Sequence, residues 1–245
     1  DLFQYLLKSN KNLLLLFGDF GSGKSTFVRS FSYKLARDHY KDCECPIPFF
    51  INLREYRTIK NLIPVISNIF INDGIVVKKI ERFFNLLKEG KVLLIMDGFD
   101  EMVARVDTIE VAQCLEEVMR LVNNKTKIII TCRTPYFRYQ NELIELMSKS
   151  IFTQSINKDK IDILELDRFN DVEIQKYMTI ILGAKWNEFY KKIKESRNLH
   201  TLAERPILLD MIVKTIPNID PLKTIASQAS LYDAYIKQWL ERDSW

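Results

Sequence analysis

Leu13-Leu14-Leu15-Leu16-Phe17-Gly18-Asp19-Phe20-Gly21-Ser22-Gly23-Lys24-Ser25 passes from five apolar residues into glycine, four residues, glycine, lysine and serine. That is the P-loop pattern, in which glycines let backbone N–H groups converge on phosphate oxygens without side chains in the way. Lys24 adds a point charge and Ser25 offers a hydroxyl to Mg²⁺. The flanks carry as much weight as the loop. The apolar run reads as a buried strand, and Phe27, Phe31 and Leu35, spaced four apart, read as one face of the helix that follows. A helix N-terminus at this point directs its partial positive charge at the bound anion. Gly18, Gly21, Ser22, Gly23, Lys24, Ser25 and Thr26 are therefore the candidate phosphate cradle.

Working outward, Phe49-Phe50-Ile51, punctuated by Pro46 and Pro48, predicts a second buried strand. Helical patterns follow at 61–71 and 77–87, the second ended by Gly90. Val92-Leu93-Leu94-Ile95-Met96 has no polar face, as expected of a strand covered on both sides in a parallel sheet. An apolar stripe through Val111, Ala112, Leu115, Val118, Met119 and Val122 predicts a helix over 106–122 before the buried run Ile128-Ile129-Ile130. Ile161 to Leu166 supplies a fifth strand. From Asp171, the expected N-cap, the pattern is helical: 171–181, 186–196, 206–216 and 230–242. The expected architecture is α/β, a doubly wound P-loop domain over 1–168 with a small all-helical subdomain over 169–220. Residues 217–221, bounded by prolines, are the best linker candidate.

Asp97-Gly98-Phe99-Asp100-Glu101 stands directly after the buried run at 92–96. Ligands of open α/β sheets bind at the carboxyl ends of the strands. A carboxylate there is where a P-loop protein holds Mg²⁺, so Asp97 joins Ser25 as the metal-side pair. Asp100 or Glu101 would orient or deprotonate an attacking water. Thr131-Cys132-Arg133-Thr134-Pro135 ends the next strand at the same edge, which makes Arg133 a candidate sensor of the terminal phosphate.

Composition removes other classes. The chain has 245 residues, 47% hydrophobic, and a net charge of +4 spread over many acids and bases, which does not announce nucleic acid. No apolar stretch approaches the roughly twenty residues that span a bilayer, and no signal-peptide pattern opens the chain, so a cytoplasmic location without membrane contact is expected. Cys43-x-Cys45 has only His39 nearby, a poor basis for a zinc site, and four cysteines show no disulfide framework. The chain begins at Asp1 and ends at Trp245 within an amphipathic segment, as a piece of a longer protein would.

One strand falls between the P-loop strand and the acid-bearing strand, as in the branch of P-loop proteins that includes the AAA+ ATPases. This resemblance implies a sheet order of 5-1-4-3-2. In combination, Gly18 to Thr26, Asn52-Leu53-Arg54-Glu55-Tyr56, Met96 to Glu101 and Thr131-Cys132-Arg133 resemble the NACHT branch of the signal-transducing STAND NTPases, which includes the nucleotide-binding domains of NLR immune receptors. The likeness extends from about Leu13 to Leu240. It implies that Pro206, in Leu202-Ala203-Glu204-Arg205-Pro206, contacts the adenine base, although Glu204 stands where the family often has glycine or asparagine. It also implies that 221–245 begins a winged-helix domain whose nucleotide-touching histidine lies outside this sequence, since His200 comes too early.

Guanine readers usually carry Asn-Lys-x-Asp after a strand. Asn124-Lys125-Thr126-Lys127 precedes its strand and lacks the acid, so ATP or ADP with Mg²⁺ is the expected ligand, although some family members accept GTP. The resemblance implies a signalling switch. ADP would hold a compact monomer, and ATP would support homo-oligomerisation in the full-length protein with its effector and sensor domains. Hydrolysis would be slow, and bacterial antiphage defence is the expected setting. The alternative is an AAA+-like motor or remodeller, which would need a trans-acting arginine and a pore or nucleic-acid surface, neither of which the sequence offers.

Overall fold

The computed structural model describes residues 5, 9–56, 61–75, 80–104, 108–134, 160–215, 225 and 227–242. The chain forms two compact units, one of residues 1–19 and 24–165, the other of 20–23 and 166–245.

In the first unit the order is β1 (Leu13–Phe17), α1 (Lys24–Lys41), β2 (Ile47–Asn52), a 3₁₀ turn (Leu53–Glu55), α2 (Leu62–Asn72), α3 (Ile80–Lys88), β3 (Val92–Asp97), α4 (Phe99–Val103), α5 (Thr108–Met119), β4 (Lys127–Cys132) and β5 (Ile161–Glu165). The strands form one sheet of order β2-β3-β4-β1-β5, with every pairing parallel. Read from the other edge this is 5-1-4-3-2, the expected order. The apolar runs follow from that placement. Every residue of β1 and β3, the first an inner strand beside β4 and β5, is buried, whereas the edge strand β5 is only half-covered. Each fully buried leucine or isoleucine contributes about 1.5–3 kcal/mol relative to exposure, so inner strands are apolar on both faces.

Two details depart from the sequence expectation. Pro48 lies inside β2 instead of punctuating it. The Ile47 N–H donates to the Lys91 carbonyl at 2.8 Å, so that side of β2 faces the sheet and the nitrogen of the next residue faces away. A proline on an edge strand, with its missing donor outward, forfeits no ladder bond. The Phe49 ring instead packs inward, with centroids 5.2 Å from Phe70 and 4.6 Å from Phe83. Second, the acidic motif opens a short helix, α4, that the sequence reading did not separate. The expected segments 77–87 and 106–122 appear as α3 and α5, while 76–79 and 105–107 lie outside the described residues.

The second unit contains α6 (Asp171–Leu182), a 3₁₀ turn (Gly183–Lys185), α7 (Trp186–Glu195), α8 (Arg197–Ala203), α9 (Pro206–Thr215) and α10 (Gln228–Arg242). Ile174, Met178, Ile193, Leu199, Leu209 and Ile212 form its core. α8 was not anticipated, because its seven residues are too short for a visible period. The linker candidate at 217–221 lies outside the described residues.

The cap of α6 is Asn170 and not Asp171. The Asn170 side chain accepts from the backbone N–H groups of Val172 and Glu173, and Glu173 Oε2 returns the contact to the Asn170 N–H at 2.9 Å, a reciprocal capping box. Asp171, the first helical residue, turns its carboxylate to Lys194 and to His200 Nε2. Replacing Asn170 by alanine is expected to cost about 1 kcal/mol of unfolding free energy in a urea titration. Lys194, then His200, hold the Asp171 carboxyl down from 3.8 to about 2. A depressed folded value means the stabilisation is complete above the unfolded value and lost as pH falls through the folded one. Between pH 4 and 2 the urea midpoint should therefore fall, and Asp171→Asn should flatten that dependence.

Candidate functional site

The register of the sheet brings the informative residues to one edge. Asn52 pairs with Asp97 at the ends of β2 and β3, and Met96 pairs with Ile130, which sets Asp97 beside Thr131. Asp97 is fully buried. Its Oδ1 accepts from Thr131 Oγ1 at 2.6 Å and from Ser25 Oγ at 3.1 Å, and Thr131 Oγ1 accepts from the Gly98 N–H at 2.9 Å. Its Oδ2 is buried without a hydrogen-bond partner. A buried carboxylate needs paired hydrogen bonds or a counter-ion, and one open oxygen beside a serine hydroxyl suits a divalent cation held directly or through water.

Asp100 and Glu101 occupy the first turn of α4 and meet Arg133. The Arg133 N–H donates to Asp100 Oδ1 at 3.1 Å, its Nε lies 3.0 Å from Asp100 Oδ2, and its Nη2 lies 3.0 Å from Glu101 Oε1. Burial raises the Asp100 carboxyl above the ordinary range, against the Arg133 charge, which acts in the opposite direction. Asp100 is thus engaged in tying the end of β4 to α4. Glu101 is the more exposed acid, 31% against 7% at the side chain.

Lys24 opens α1, and its ammonium donates to the carbonyls of Gly18 at 2.5 Å and Asp19 at 3.0 Å, so it closes over its own loop. Burial lowers its pKa, with the nearby Asp100 and Asp97 charges partly restoring it. Gly21 has a φ of 76°, in the left-handed region, and a Cβ there would sit 2.2 Å from Ile207 Cγ2. The Gly21 carbonyl accepts from the Ile207 N–H at 3.3 Å, and Pro206 Cγ lies 3.9 Å from where a Gly23 Cβ would be. Ser22 Oγ is buried without a partner, which suits an acceptor such as a phosphate oxygen. Thr26 follows Ser25 in the first turn of α1 and is exposed. The structure therefore gathers Ser25, Asp97, Asp100, Glu101 and Arg133 at one sheet edge.

Two contributors were not singled out from sequence. Thr131 was quoted only as part of a motif. Arg54, quoted within Asn52 to Tyr56, projects from the 3₁₀ turn at the end of β2. Its Nη2 donates to Ser25 Oγ at 2.9 Å, and its Nε lies 2.8 Å from Glu101 Oε2, at ion-pair distance without hydrogen-bond alignment. The available signal was position, because every residue just past a parallel strand end shares this edge.

The NACHT domain model matches residues 12–185, which includes the whole of this constellation. The chain belongs to the NACHT domain family. Over 244 residues it is 31% identical to an uncharacterised WD repeat-containing protein of Nostoc sp., covering 95% of this chain and 16% of that protein. Among solved structures, the Aeropyrum pernix ORC2 protein aligns with a TM-score of 0.57 at 13% identity, over 96% of this chain and 65% of that one. The Walker-type ATPase PABY2304 of Pyrococcus abyssi aligns with a TM-score of 0.53 at 14% identity, over 96% and 72%. These likenesses establish the P-loop ATPase fold of a NACHT module. Among the described residues no helix is long and apolar enough to cross a membrane.

The acid motif is specific in its glycine. Gly98 has a φ of 87°, and a Cβ there would lie 3.0 Å from Arg54 Cγ and 3.2 Å from Arg54 Nε. Gly98→Ala should cost about 1–2 kcal/mol from the left-handed backbone alone. Its unfolding free energy in urea should fall accordingly, with the fold retained by circular dichroism.

Proposed function

We propose that this NACHT module is an ATP/ADP-dependent signalling switch with slow hydrolysis. The observation that carries the reading is the state of Glu101, the acid best placed to act on water. Its two oxygens face two guanidinium groups, Arg54 on Oε2 and Arg133 on Oε1. A carboxylate with a guanidinium on each oxygen has neither oxygen free to take a proton from water, so turnover is slow until those partners move. A fast motor would keep its base free.

In this reading Lys24 and the amides of Gly18 to Ser25 hold the phosphates, and Pro206 contacts the base. Ser25 and Asp97 hold Mg²⁺, which when bound neutralises charge on the phosphate oxygens. Arg133 senses the terminal phosphate by exchanging a carboxylate for it, a contact that differs between nucleotide states and can bias a conformational equilibrium. Asp100 fixes the loop that carries Arg133. We read 169–220 as the helical subdomain and 221–245 as the start of a winged-helix domain. The Nostoc relative's WD repeats support a parent protein with an attached sensor domain. The chain spans only 16% of that relative, so oligomerisation of the full-length protein on activation, a cytoplasmic setting and antiphage defence are parts of the same proposal.

Lys24→Ala should abolish nucleotide binding measured with a fluorescent ADP analogue. Glu101→Gln should retain binding and slow single-turnover hydrolysis by about a hundredfold or more. Unchanged hydrolysis in Glu101→Gln and Asp100→Asn alike would remove both acids from the chemistry. Steady turnover above about one per second in the native chain would favour a motor and overturn the switch. GTP displacing bound nucleotide better than ATP would overturn the base assignment.

A further inference from the structure

Arg54 belongs to neither the phosphate loop nor the acid motif, yet its guanidinium ends where the two meet. Nη2 donates to Ser25 Oγ at 2.9 Å and lies 3.9 Å from Asp97 Oδ2. That second distance is too long for a hydrogen bond and suits a counter-ion. The oxygen it faces is the buried one without a hydrogen-bond partner. Ser25 completes the arrangement. Its own proton points to Asp97 Oδ1 at 3.1 Å while one of its lone pairs receives the Arg54 proton.

The seat is built for this side chain. Gly98 has no Cβ where one would press on Arg54 Cγ at 3.0 Å, and Leu53, the preceding residue, is fully buried and anchors the turn. The Arg54 side chain is 38% exposed and that of Glu101 31%, so the arm borders solvent into which the guanidinium can move.

We propose that Arg54 is a built-in cation for the metal site. It neutralises the Ser25–Asp97 pair when no divalent ion is present, and it must leave that position when one binds. The inference rests on the reading of Ser25 and Asp97 as the metal-side pair. A divalent ion seated between them would have to share Ser25 Oγ with Arg54, and it would face a like charge at the present position of Nη2. Metal and guanidinium therefore compete for one place. Moving Arg54 also removes one of the two cations on Glu101, so metal arrival and the release of that acid are coupled. The chain would hold its acid quiet until the nucleotide comes with its metal.

The test uses the native 245-residue chain loaded with ADP and titrated with Mn²⁺, with free Mn²⁺ read by electron paramagnetic resonance. Arg54→Met keeps much of the stem's length and removes the charge. It should bind Mn²⁺ at least about fivefold more tightly than the native chain, the lower end of typical coupling between sites. Arg54→Lys, which keeps the charge, should stay closer to native. Equal Mn²⁺ affinity in Arg54→Met and the native chain would overturn the proposal. Weaker affinity would also overturn it and would make Arg54 a support for the metal instead of its competitor. Should Arg54→Met fail to fold by circular dichroism, Arg54→Gln takes its place with the same expectation. Failure of the underlying site reading looks different, because native Mn²⁺ affinity would then be indifferent to Asp97→Asn.

Discussion

The carboxylate of Asp97, fully buried at the end of β3, is the constraint on which the rest of the site depends. A carboxyl group out of contact with water is tolerated only with polar partners, and these come from four places in the chain. Ser25 arrives from the start of α1, Thr131 from β4, the Gly98 N–H from the next residue by way of Thr131, and Arg54 from the turn after β2. Parallel pairing of β2, β3 and β4 is what brings these to one edge. Asp97 thus stabilises the fold only as far as its neighbours stay in register, and it ties the metal-side chemistry to the order of the sheet.

Asp100 and Glu101 are adjacent in sequence and face different surroundings. Asp100 is buried and receives both a backbone N–H and the Nε of Arg133, so it fastens β4 to α4. Glu101, one residue on, reaches the surface and bridges Arg133 to Arg54. One turn of helix is enough to give neighbouring acids separate duties, because successive side chains leave a helix about 100° apart. Spacing in the sequence could not divide them, since the division depends on which arginine stands opposite.

Much of the fold was legible. The runs at 13–17, 92–96 and 128–130 are apolar on both faces, a pattern that only the covered strands of a parallel sheet require. The sheet order came from resemblance, not from periodicity: one strand between the P-loop strand and the acid-bearing strand is the arrangement of the AAA+ branch, and the acid motif marked the edge where the site lies. What stayed hidden was decided by partners distant in the chain. Asn170 and Asp171 are both competent caps, and the choice fell to Asn170 because Glu173 completes its box while Asp171 is drawn to Lys194 and His200. The expected order already set β2 next to β3, but which groups Arg54 meets depended on the turn after β2, which aims its guanidinium at Ser25 and Glu101.

Pro48 bears on how copies of this module can meet. An exposed sheet edge is a template for adding a strand from another molecule, through a row of outward donors and acceptors. On the outer side of β2 that row is short of a donor at residue 48, since the Ile47 N–H turns inward to Lys91 and the proline nitrogen faces outward with no hydrogen. A strand added along this border would lack one ladder bond at residue 48, which weakens edge-to-edge pairing there.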